Sequence, residues 1–228
     1  METRFYPVVT AMLVMVIASL IYGLKFFRKR NYLLAFELWV VMFSGSNFLV
    51  YAFTNAHTAY LISYFCDAFS RGFGIPVITT AGLMAVTQGY RPSVRADIAF
   101  FALAVIGALI LVGWDFIAPI KPYFYLAMWT LFSIYLVYFV KRLLSVGERL
   151  RAMVVFLAMG CAHAIAIIYD FYKIPGDAEQ LTFYTFAALT WGFLGVALYY
   201  GYCGLERAAQ TQSQLMHGRM RQGAERFL

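Results

Sequence analysis

Seven apolar stretches, each long enough to cross a bilayer, fix what this chain can become. They run at about 6–27, 32–54, 58–88, 97–118, 122–141, 150–173 and 181–204, and charges or prolines bound them. Each meets or exceeds the roughly 20 residues that an α-helix needs to span the hydrocarbon core. In lipid every backbone N–H and C=O must be satisfied within the segment, so such stretches fold as helices. The expectation is an all-α integral membrane protein: a seven-transmembrane-helix bundle over residues 1–205, then a cytoplasmic C-terminal tail over 206–228. Composition agrees, since 63% of the 228 residues are hydrophobic and 13% charged, against about 25% charged in soluble domains. A soluble or disordered chain is excluded. The first stretch lacks a basic leader and is too long for the apolar part of a cleavable signal, so it reads as a retained span.

The positive charges give the orientation. One side collects fourteen Lys and Arg in four clusters, at residues 25–30, 91–95, 141–151 and 207–226, while the other has only Arg4, Lys121 and Lys173. The positive-inside rule makes the first side cytoplasmic, which places the N-terminus outside and the C-terminus inside. The net charge of +7 is thereby a topological label, and nucleic acid is not an expected partner. The partners expected are the lipid bilayer, a polar or ionic small molecule, and a second copy or a cytoplasmic protein reached through the tail. Very short outside loops and the lack of an N-x-S/T sequon suit a multi-pass protein of a bacterial inner membrane. Spans one to three and five to seven share a rhythm of span, basic turn, span, short outside turn, span, which suggests a three-plus-one-plus-three repeat plan.

One basic residue escapes this tally: Arg71, well inside the third span. A charge at mid-membrane costs from about 2.5 kcal/mol upward and so signals function. Tyr60, Tyr64, Asp67, Arg71 and Gly74 follow at spacings of three and four, which puts them on one helical face. Counting about 1.5 Å per residue from Thr58, Asp67 lies about 13 Å deep and Arg71 about 20 Å, one turn apart and able to pair. Gly72, Gly74 and Pro76 then break helical propensity, as at the binding sites of transporters. Pro76 is the one proline of six inside a span. His163 and Asp170 lie two turns apart on the sixth span, Asn47 sits deep in the second, and Trp191 belongs to an aromatic stripe on the seventh. Glu37, one and a half turns from the cytoplasmic boundary, is expected to reach water or a basic loop.

These residues give the expected site. Arg71, Asn47, Tyr64 and Trp191 are the substrate-binding candidates, with Arg71 presenting its guanidinium to an anionic group. Asp67, His163 and Asp170 are the proton-coupling candidates. No metal or cofactor is expected. The five lysines all lie at span boundaries, so no seventh-helix lysine can hold retinal. The buried histidine has no partner for a haem iron, and no nucleophile and base pair is evident, so an enzyme is not expected. The leading expectation is a small transporter or permease for a polar or ionic small molecule, coupled to protons. The alternative is a seven-helix sensor or accessory subunit that binds an amphiphilic ligand and signals through a cytoplasmic partner.

Overall fold

The structure, a computed structural model, describes residues 3–90 and 92–225, with side chains over 4–90 and 92–214. Every regular element among them is helical. The first two spans are α1 (Tyr6–Arg28) and α2 (Tyr32–Thr54). The third is composite: α3 (His57–Phe69), a ten-residue π-helix (Ser70–Thr79) and α4 (Thr80–Thr87). Then come α5 (Val94–Gly113), α6 (Lys121–Ser145), α7 (Arg149–Phe171) and α8 (Leu181–Glu225). Seven of these stretches are long and apolar enough to cross a membrane.

Local chemistry sets the ends. Asn31 caps α2 by accepting from the Leu34 N–H at 3.3 Å, and its Nδ2 donates to the Gly82 carbonyl at 2.8 Å, which ties the start of α2 to α4. Ser93 caps α5 by accepting from the Ala96 N–H at 3.3 Å. The fourth span therefore starts ahead of residue 97, and it ends at Gly113 rather than 118, where the chain turns into a short 3-10 segment, Asp115–Ile117. The seventh helix crosses residue 206 without a break. Its 45 residues at about 1.5 Å each give a rod of about 68 Å, longer than a bilayer with its headgroups. Arg91 and residues 226–228 of the basic clusters and tail lie outside the described residues.

The third span is the centre of the bundle. It is 67% buried, against 17% for α5 and 28–39% for the others, because α2, α5 and α6 pack against its π segment while α8 reaches α4. The helix α1 lies between α2 and α8, and glycines let it come close. A side chain at Gly192 would meet the backbone of Met15 at 3.2 Å, and one at Gly45 the Met15 methyl at 2.7 Å. A repeat plan would make the third and seventh spans equivalent, but the third is central and the seventh a wall at 39% burial. At the basic end, ion pairs join neighbouring helices, Lys29 with Glu206 and Glu148 with Arg207 at 3.5 Å, while Glu148 also pairs with Arg151 of its own helix at 2.5 Å. At the other end Arg4 pairs with Glu179 at 3.1 Å.

The π segment follows from Pro76. Proline has no N–H, and in an α-helix its ring would strike the carbonyl four residues back, at Gly72. A wider turn relieves the clash, and such turns occur preferentially at functional sites. Two hydroxyls serve carbonyls in and near the break: Thr79 Oγ1 donates to Gly74 O at 3.3 Å and Thr80 Oγ1 to Pro76 O at 2.6 Å.

Candidate functional site

Where α3 gives way to the π segment, three helices converge on one guanidinium. Arg71 Nη1 lies 3.7 Å from Asp67 Oδ2, one turn back, and Nη2 pairs with Asp170 of α7. Two tyrosine rings lie against the guanidinium as well. The ring of Tyr169 lies 3.7 Å from Cζ and that of Tyr125, on α6, 4.1 Å. Tyr169 also donates its hydroxyl to Asp67 Oδ2 at 3.1 Å. The Arg71 side chain is thus 6% exposed, while Asp67 retains 22% and Asp170 15%. Low dielectric strengthens each of these contacts, and a cation between two aromatic faces gains on the order of 2 kcal/mol per face when desolvated.

A cavity of about 210 Å³ opens beside this cluster. Asp67 and Arg71 form its charged wall, Ser44, Ser63 and Ser70 add hydroxyls, and the remainder is mostly aromatic and thioether: Phe48, Tyr60, Tyr64, Tyr169, Tyr184, Trp191, Met12 and Met15. Tyr60 and Tyr64 stack at 6.2 Å and are about two-fifths exposed, so the cavity reaches the surface next to them. Ser44 Oγ donates to the Ser63 carbonyl at 3.2 Å and holds α2 against α3 along one side. The volume suits a small organic molecule, being several times the roughly 30 Å³ share of one liquid water.

The candidates from the sequence divide. Tyr64, Asp67, Arg71 and Trp191 all line the cavity, and Asp170 reaches it through Arg71. Asn47 does not: its Nδ2 donates to the Phe43 carbonyl of its own helix at 2.8 Å, a local bond that turns the amide away from the wall. Nor does His163, whose Nδ1 lies 3.1 Å from Ser133 Oγ and links α7 to α6 instead. Two turns separate it from Asp170, which pairs with Arg71 of the third span. Gly74 leaves the face of Arg71 because the π turn changes the angle between successive residues; it faces Glu37 on α2.

Two expectations about charge are also revised. Arg71 lines the cavity but is not a bare guanidinium, since two carboxylates and two tyrosine rings already engage it. Glu37 does not reach water or a basic loop: it is 2% exposed, because that part of α2 packs against the π segment. The residues missing from the sequence reading are Tyr125, Tyr169 and Ser70. Tyr169 precedes Asp170 directly, and adjacent residues on a helix normally point apart; both engage Arg71 because the long guanidinium arm reaches across the end of α7. No spacing rule announces that.

No protein family, curated protein or solved structure matches this chain.

Proposed function

We propose that the chain is a small multi-pass permease that exchanges a cationic, partly apolar small molecule for a proton, with Asp67 as the group that takes one or the other. One observation carries the reading: two carboxylates share one guanidinium, which leaves the cluster one positive charge short. In a membrane that shortfall has to be met. A proton meets it in the empty site and a cationic ligand meets it in the occupied one, so each displaces the other. The tyrosine and tryptophan rings around Asp67 suit a cation with an apolar body, since ring faces attract positive charge. Arg71 and Asp170 are positioning residues in this scheme, Tyr64 and Trp191 line the ligand, and the π segment is the hinge. The N-terminus is outside and the C-terminus cytoplasmic, in a cell inner membrane, and the cavity opens to the outside.

The test uses proteoliposomes with a trapped pH indicator and benzyltrimethylammonium, a permanent cation with one ring. Wild type is expected to move protons against the added cation, and Asp67→Asn to lose that exchange. Exchange that survives in Asp67→Asn, or that runs with benzoate instead, contradicts the proposal.

A second reading is favoured by α8, which carries the cavity wall at Trp191 in one unbroken helix to Glu225. In a sensor this rod would relay occupancy of the cavity to a cytoplasmic partner. Truncation after Arg207 separates the two: a permease keeps its flux, and a sensor loses its output.

A further inference from the structure

A second, smaller cavity of about 30 Å³ lies toward the basic end, and it shares Val41, Ile75 and Trp191 with the larger one as walls. Glu37 lines it. The Glu37 side chain is buried, and neither carboxyl oxygen has a hydrogen-bond partner among the described residues. Two further buried polar atoms nearby also lack partners: Ser70 Oγ, which belongs to the larger cavity, and Trp191 Nε1, from the shared wall. The Ser70 hydroxyl lies beside Glu37 but outside hydrogen-bonding geometry. Gly74 presses on the carboxyl from the π segment, where any side chain would overlap it.

Three unpartnered polar groups at the junction of two cavities are unusual, since buried polar atoms nearly always find partners. Among the described residues no cation faces Glu37. On the third span the titratable group that interacts with it is Cys66, and from α1 and α8 the cavity wall presents Phe26, Trp191 and aliphatic side chains. An ionised carboxylate in such surroundings bears an uncompensated desolvation cost. A metal cation would need several more oxygens, yet the Thr79 hydroxyl is already given to Gly74 O. The cavity does have room for a water.

We propose that Glu37 is a proton-binding site, loaded by way of a water between the two cavities and past Ser70. The step is a plain proton transfer: a hydronium O–H bond breaks to leave water, an O–H bond forms on the Glu37 carboxylate, and release reverses both. The inference deepens the permease reading, because it extends the proton's path from Asp67 toward the basic end across the π hinge.

Infrared difference spectroscopy on the purified full chain in nanodiscs tests it with no ligand and no transport, so its outcome is independent of the exchange assay. A pH step is expected to change a carboxylic C=O band that shifts when glutamate is 13C-labelled in wild type, disappears in Glu37→Gln and persists in Asp67→Asn. A band insensitive to labelled glutamate, or one that persists in Glu37→Gln, overturns the assignment, as does a band that sodium chloride titrates away at constant pH. The labelling arm needs no variant, so a band insensitive to labelled glutamate overturns the assignment even if Glu37→Gln fails to fold. If the band behaves as expected while no exchange occurs, Glu37 binds its proton and the permease reading fails alone.

Discussion

Replacing Arg71 with Gln removes the cation on which two carboxylates converge while leaving a shorter, neutral polar side chain. Both ion pairs are lost, and both ring contacts lose their charge. Breaking a buried pair by removing one partner costs about 3–5 kcal/mol, largely because the other charge stays buried. Asp67 and Asp170 are 22% and 15% exposed, so solvent relieves part of that, and the lower half of the range, about 3–4 kcal/mol, applies. At about 2–4 °C per kcal/mol for a chain of this length, the melting temperature falls by about 6–16 °C. The assay is scanning fluorimetry of the four tryptophans in detergent micelles. The double variant Arg71→Gln/Asp170→Asn then regains more than half of the loss, because one carboxylate remains and Tyr169 still donates to it. The reasoning is refuted if Arg71→Gln melts with wild type, or if Asp170→Asn lowers the melting temperature of the single variant further.

Other substitutions separate the site from its surroundings. Gly74→Ala forces a methyl into the Glu37 carboxyl and is expected to destabilise by about 1–3 kcal/mol; the loss is relieved by Glu37→Ala but not by the isosteric Glu37→Gln, as thermal unfolding will read. Asn47→Ala should leave stability within about 0.5 kcal/mol and cation exchange unchanged, because its amide serves its own helix. His163→Ala gives up the contact with Ser133, worth about 1 kcal/mol, and exchange in proteoliposomes should persist with the same pH profile. Tyr125→Leu withdraws one ring from Arg71 and should lower the melting temperature less than Arg71→Gln does.

The spans were legible because periodicity and hydropathy act locally. Asp67, Arg71 and the break at Pro76 were legible for the same reason, since each lies within one helix. The partners of Arg71 were only partly so. Asp170 stood out as a charge in an apolar run, but Tyr125 and Tyr169 are two of seventeen tyrosines, and nothing local distinguishes them. His163 and Asn47 misled because depth in the membrane was read as nearness, while direction around the helix axis decides which neighbour a side chain meets. Glu37 misled in the opposite way. Its distance from the boundary suggested water, yet the central third span covers that part of α2, and only packing reveals it.

The central claim is that a proton and a cationic ligand compete for the charge left over at Asp67. Calorimetric titration of benzyltrimethylammonium into the purified protein, repeated in buffers of different ionisation enthalpy, measures the protons released per ligand bound. The account predicts a release that approaches one proton per cation as the pH is lowered, and no release in Asp67→Asn. Cation binding with no proton released at any pH, or preferential binding of benzoate, would contradict it.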